Sequence, residues 1–116
     1  MKLIKGTAVW CLMVGAGLLV TSFAFQAAPP AADGGAIFRR QCAMCHGADG
    51  KGFHALKTPN FTDPKWQSSK KDNALKEVIK NGRKGTAMPT FGGTLKDDQI
   101  SAVISFVRSL NSAKKK

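Results

Sequence analysis

An all-α fold of short helices joined by long loops is predicted from three features of the chain. Helical spacing recurs in three segments, strand-like alternation is absent, and two stretches rich in Gly, Pro, Asn and Lys separate the helices. The chain is 116 residues long, the size of one domain. That length excludes a multidomain enzyme, a doubly wound nucleotide-binding fold and a barrel of eight βα units.

The elements follow in order. Lys2 and Lys5 precede an uncharged run from Gly6 to Phe25, with a more polar Thr21–Ala28 stretch at its end and no acid before Asp33. This is the layout of an export signal, and Ser22-Phe23-Ala24 offers small residues at cleavage spacing. The run of about 20 residues is also long enough for an uncleaved anchor. Residues 1–28 are therefore expected to be a signal peptide or N-terminal membrane anchor, with Cys11 as an ordinary apolar residue of it. Residues 29–33, including Pro29-Pro30, read as a short stiff linker, 34–112 as the folded domain, and 113–116 as a basic tail.

The first helix is expected over Gly34–Gln41, with Ile37 and Phe38 on one side. The second spans about Lys71–Lys80, where Leu75, Val78 and Ile79 follow i, i+3, i+4 spacing and Asn81-Gly82 stops it. The third carries a stripe of Ile100, Val103, Ile104, Val107 and Leu110, with Thr94 and Asp97 resembling a capping box at its start. Gly47–Ser69 and Gly82–Gly93 are expected to be loops. Three short helices bury too little alone, so loops this long are expected to wrap a further group.

Charge narrows the partners. From Asp33 on, the chain holds 12 Lys, 4 Arg and 7 acids, a net charge of +9. A field of that sign attracts acidic proteins, nucleic acid or anionic lipid. Nucleic acid is set aside, because no basic stripe is interleaved with aromatics. Lys114-Lys115-Lys116 reads as a solvated end.

Cys42-Ala43-Met44-Cys45-His46 identifies the wrapped group. A Cys-x-x-Cys-His run is the attachment pattern of c-type haem. Two thiols three apart on one turn reach the two vinyl groups of one porphyrin, and the next residue, His46, is delivered to the iron. A thioredoxin-like pair would need a βαβ setting, and a structural zinc site four ligands not crowded into one turn. A plain Cys42–Cys45 disulfide is the remaining competitor.

The iron needs a sixth ligand. Met44 lies between the cysteines, poorly placed for the opposite haem face. Met88 lies in the Gly85–Gly93 loop, where Pro89 stiffens the backbone beside the sulfur. Met88 is the expected ligand, and His54 on its polar loop is expected to be exposed.

Residues 33–112 resemble small mono-haem class I c-type cytochromes of the bacterial type. The resemblance rests on Cys42–His46, on Met88-Pro89 followed by Phe91-Gly92-Gly93, and on Gly34 and Phe38 standing eight and four residues before Cys42. Val103 and Phe106 stand where the partners of that pair belong on the last helix. Thr58-Pro59-Asn60-Phe61 looks like the Pro-Asn-Leu loop of the family, with Phe61 in place of leucine. The resemblance implies that the Pro59 carbonyl accepts a hydrogen bond from His46, and that Trp66 borders the haem, bonding a propionate or serving as a plain pocket wall. Asn60-Phe61-Thr62 fits a glycosylation triplet and is read as chance.

The resemblance implies a class I cytochrome c fold around one covalently bound haem c, held through Cys42 and Cys45 with His46 and Met88 on the iron. It implies a one-electron carrier of a respiratory or related chain, not an enzyme. The expected carrier is a monomer, exported to the periplasm and possible to anchor at the inner membrane through residues 6–25. Exposed Lys51, Lys57, Lys65, Lys84 and Lys96 would steer it to acidic docking faces of transient redox partners. Two alternatives stay open: a membrane-anchored electron-entry subunit of an oxidase or dehydrogenase, and a haem sensor or peroxidase with a labile sixth ligand.

Overall fold

The first helix starts where an aspartate can hold its free amides. In the computed structural model, which describes residues 30–112, the Asp33 carboxylate accepts from the Ala36 N–H at 2.9 Å. Helix α1 (Gly34–Gln41) follows, with Ile37 and Phe38 buried. The Cys42 N–H closes it onto the Phe38 carbonyl at 2.8 Å, and a second short helix, α2 (Ala43–His46), begins at once.

The chain then runs through a 3₁₀ turn (His54–Leu56) to α3 (Pro64–Ser69), α4 (Asp72–Asn81) and α5 (Asp97–Ser109). No strand occurs among the described residues. The core consists of Ile37, Phe38, Phe61, Leu95, Ile100, Val103, Ile104 and Val107, with Trp66, Leu75, Ile79, Phe91, Phe106 and Leu110 packed around it.

The governing contact is α1 against α5. At Gly34 the two backbones touch: a Cβ there would run into the Ala102 carbonyl and lie 2.9 Å from the Val103 nitrogen. Only glycine permits that approach. Four residues on, Phe38 is 1% exposed and its ring lies 5.1 Å from that of Phe106. The glycine–aromatic pair and its partners on the last helix thus meet as expected.

Three expectations need correction. The stretch to Ser69 is not all loop, because α3 occupies its end. Asp63 caps α3, accepting from the Lys65 N–H at 2.9 Å, and Pro64 takes the first turn, where its missing N–H costs nothing. The capping pair of α5 is not Thr94 with Asp97. Thr94 and Leu95 close a turn onto the Phe91 carbonyl (2.9 and 2.8 Å), and Leu95 is buried. The helix therefore starts two residues later, with Gln99 Oε1 accepting from the Lys96 N–H at 2.9 Å. Gly82 does end α4, but with φ +71° and ψ −174° rather than in a left-handed helical turn. A Cβ on it would stand 2.8 Å from the Met88 carbonyl.

The expected leader and the tail beyond Ser112 lie outside the described residues. Among the described residues no helix is long and apolar enough to cross a membrane.

Candidate haem-binding site

The two cysteines and the histidine of the motif sit on one turn because α1 stops at Cys42 and α2 restarts the helix at Ala43. Cys45 and His46 both donate backbone N–H bonds to the Cys42 carbonyl, at 3.1 and 2.9 Å. Both thiols are free, Cys42 partly covered and Cys45 exposed, so the disulfide alternative is not formed in this structure. Burial, with the Cys45 thiol adding to it, pushes Cys42 up to about 11. Its sulfur is thus held as the neutral thiol.

His46, like Cys42, is partly covered. Burial lowers its pKa below the usual imidazole range, which favours the neutral ring that can ligate a metal. Its ring lies on Phe61, centroids 4.9 Å apart and planes 20° from parallel. Phe61 in turn meets Trp66 at 4.7 Å and Phe38 at 6.1 Å. A column of rings therefore runs from the α1–α5 core to the motif histidine. Trp66 enters the site through Phe61, on the first turn of α3.

The segment under His46 is tied down by backbone. Gly52 donates to the His46 carbonyl at 2.8 Å, and Phe61 donates to the Gly50 carbonyl at 2.7 Å. Gly52 has φ +75°, and a Cβ there would lie 2.7 Å from the Pro59 carbonyl oxygen and 2.8 Å from that of Thr58. Any side chain would wedge the two strands of the loop apart. The Pro59 carbonyl thus faces Gly52, and the expected bond from His46 to it is not made. With the ring laid on Phe61, Nδ1 is buried without a hydrogen-bond partner.

An orphaned buried nitrogen costs about 1–3 kcal/mol and marks a group built for a partner. Phe53 and Leu56 after the motif and Val78 on α4 are large apolar side chains left exposed (46, 53 and 37%). Two free thiols, a half-buried imidazole with its pKa lowered and uncovered apolar surface are what an apolar macrocycle with two vinyl groups and an iron requires. The residues fit haem.

Met88 stands apart from this column. It lies half-buried in the 82–93 loop, its N–H donating to Thr86 Oγ1 at 3.2 Å and its carbonyl accepting from the Arg83 N–H at 3.3 Å. From this loop Phe91 packs on the core, and Phe91 and Gly92 donate to the end of α4 at Ile79 and Lys80 (2.9 and 3.0 Å). His54 is exposed on the 3₁₀ turn, as expected. Lys51, Lys57, Lys65, Lys84 and Lys96 are all exposed. Asn60 turns its Oδ1 back onto the Thr62 N–H and hydroxyl (2.9 and 2.7 Å), so the glycosylation triplet is closed on itself as a local turn.

Sequence reasoning missed one arrangement next to the site. Gln67 is buried, and Arg108 reaches it from α5 while also pairing with Asp72 at 2.8 Å. Nothing in the sequence signals it, since the partners lie 36 and 41 positions apart.

Comparison with known proteins agrees with this geometry. The family described as cytochrome c oxidase, cbb3-type, subunit III matches residues 29–107. The Cbb3-type cytochrome c oxidase subunit FixP of Bradyrhizobium diazoefficiens is 40% identical over 84 residues, covering 72% of this chain and 29% of its own length. The chain thus spans about three tenths of the length of the curated relatives it matches. Among solved structures, the KustC0563 c-type cytochrome superposes with a TM-score of 0.64 at 28% identity, covering 68% of this chain and 98% of that one. Cytochrome CL of Methylophaga aminisulfidivorans gives 0.57 at 26% identity, covering 68% and 51%. The chain belongs to the cbb3-type cytochrome c oxidase subunit III family and is an electron-transfer cytochrome of the c type with the class I fold.

Proposed function

We propose that residues 34–112 carry one haem c and pass single electrons between redox partners, without catalysing a reaction of their own. The observation that carries this reading is the Cys42–His46 turn: two free thiols and a half-buried imidazole, its Nδ1 unpartnered, presented together above an aromatic floor. When bound, haem c supplies a one-electron iron couple. Cys42 and Cys45 would hold it by thioether bonds, and His46 and Met88 would be the side chains that ligate its iron. A thioether ligand favours ferrous iron and raises the potential. With haem bound, the Pro59 carbonyl, which here faces Gly52, would turn to accept from Nδ1, and Trp66 would form the pocket wall beside Phe61. With His46 and Met88 both engaged, no position is left open for a substrate. The exposed lysines attract acidic faces, in encounters that are small and transient. The proposed carrier is monomeric and faces the periplasm.

A second reading is favoured by the family match: the domain is a fixed electron-entry module of an oxidase, held to the membrane by residues 6–25. Sequencing the N-terminus of the mature protein separates the two. An intact N-terminus in the membrane fraction supports the module, and a cleaved soluble chain the shuttle.

The absorption spectrum, oxidised and then reduced, tests the site itself. Sharp low-spin c-type bands on reduction, with a weak long-wavelength sulfur-to-iron band when oxidised, are expected. Haem bands without the sulfur band would displace Met88 and raise the sensor or peroxidase reading. Absence of haem would refute the proposal. Oxidation by ferricyanide, an anion, is expected to slow as salt rises, and a salt-independent rate would remove the steering role of the lysines.

A further inference from the structure

Among the described residues Gln67 is the one buried polar residue, 6% exposed, and every group of its amide is engaged. Nε2 donates to the Phe61 carbonyl at 2.6 Å and to the Val107 carbonyl at 2.8 Å, and Oε1 accepts from Arg108 Nη1 at 2.9 Å. The two N–H groups thus bridge the loop below His46 to the last turn of α5. Arg108 holds the amide in that orientation, because its Nη1 also donates to the Gln67 carbonyl at 2.7 Å, its Nη2 to the Lys70 carbonyl, and its Nε to Asp72 at 2.8 Å.

Helix stability does not require this bridge, since the Val107 carbonyl already accepts from the Leu110 N–H at 3.2 Å. What the bridge fixes is Phe61. Its N–H is held by Gly50, its C=O by Gln67, and its ring carries the imidazole of His46. An aromatic residue pinned at both backbone groups cannot slide, so the ring stacked on it cannot turn freely.

We infer that Gln67 is a positioning residue for His46, acting through Phe61, and that it helps to set the reduction potential of the bound haem. The inference rests on the reading of His46 as an axial ligand. Freeing the Phe61 carbonyl loosens the floor under the imidazole and lets water approach it. Water favours the more highly charged oxidised state, so the potential falls.

The test uses the full-length holoprotein and a redox titration. Gln67→Leu removes both donors at similar volume. Gln67→Glu keeps the shape and the Arg108 partner while removing the same donors. Both are expected to shift the oxidised-to-reduced ratio at fixed ambient potential about tenfold towards oxidised, about 59 mV for a one-electron couple. Both are also expected to displace the paramagnetically shifted NMR resonances of the His46 ring. Phe61→Leu is expected to shift the potential in the same direction, and the Phe61→Leu, Gln67→Leu double variant no further. Asp72→Ala, which removes one outer bond of Arg108 and leaves both Gln67 donors and the Arg108–Gln67 bonds in place, is expected to lower the melting temperature and leave the potential unchanged. Gln67 variants that melt earlier at unchanged potential would overturn the inference, as would additive Phe61 and Gln67 shifts. Failure of both Gln67 variants to give folded holoprotein would assign the residue to the fold alone. A wild-type protein without c-type bands would refute the haem reading itself, before any variant is compared.

Discussion

The region around His46 and the loop around Met88 are built on different principles. His46 rests on Phe61, Phe61 on Trp66 and Phe38, and Phe38 on the α1–α5 crossing, so buried side chains connect the motif to the centre of the core. The 82–93 loop is held chiefly by main-chain bonds, Arg83 to Met88 and Phe91 and Gly92 to the end of α4, with Phe91 as its packing residue. His46, proposed as one ligand, is prearranged by the protein's own packing. Met88, proposed as the other, is carried on a strap whose geometry the packing defines less tightly.

Removing both thiols should have the largest effect on this contrast. Cys42→Ser with Cys45→Ser is expected to leave a largely unfolded chain by circular dichroism, because so small a core depends on the group it encloses. A well-folded, haem-free double variant would show that the packed half stands by itself. Phe38→Ala comes next. It empties the centre of the column and should cost about 3–5 kcal/mol in denaturant unfolding; a loss under about 1 kcal/mol would mean that the column is not what supports the motif. Met88→Ala should cost less, about 1–2 kcal/mol for a half-buried side chain. It should abolish the sulfur-to-iron band while the far-ultraviolet helical signal stays. Loss of helicity in that variant would erase the distinction between the two regions.

The smallest effect concerns the exposed tie between α4 and α5. Asp97 pairs with Lys76 and Lys80, each at 3.0 Å, and these hydrogen bonds and charges lower its pKa. A carboxylate depressed in the folded state stabilises above its unfolded pKa, near 3.8, and loses that contribution as pH falls through the folded value. The difference in melting temperature between wild type and Asp97→Asn should therefore be present at pH 6 and shrink below about pH 4. Salt should screen it at any pH. A difference that persists in acid would assign Asp97 to helix capping instead of pairing.

Local signals made much of this legible. Helices α1, α4 and α5 carry apolar spacing over eight to thirteen residues, enough for a period to show. Helix α3 has six residues and shows no period, so it reads as loop from sequence, although its start at Asp63-Pro64 is a cap followed by a first-turn proline. The beginning of α5 was misplaced because the burial of Leu95, a tertiary event, moved the cap. In the site, Cys42, Cys45 and His46 were readable because attachment chemistry fixes their spacing within one turn. The Phe61 stack and the Gln67 bridge were not, since both depend on segments that become neighbours only once α5 lies across α1.

That crossing has a consequence for the order in which the molecule is made. Its two helices stand at opposite ends of the described chain, and their backbones meet at Gly34 and Ala102. Synthesis runs from the N-terminus, so the attachment turn emerges with α1 still lacking its partner. During that interval both thiols and the imidazole stand beside a core that α5 has yet to complete. A chain interrupted before α5 would keep the whole motif and lose the surface it closes against. Such a fragment would not be a trimmed cytochrome but an unfinished one, with its motif intact and its core unclosed.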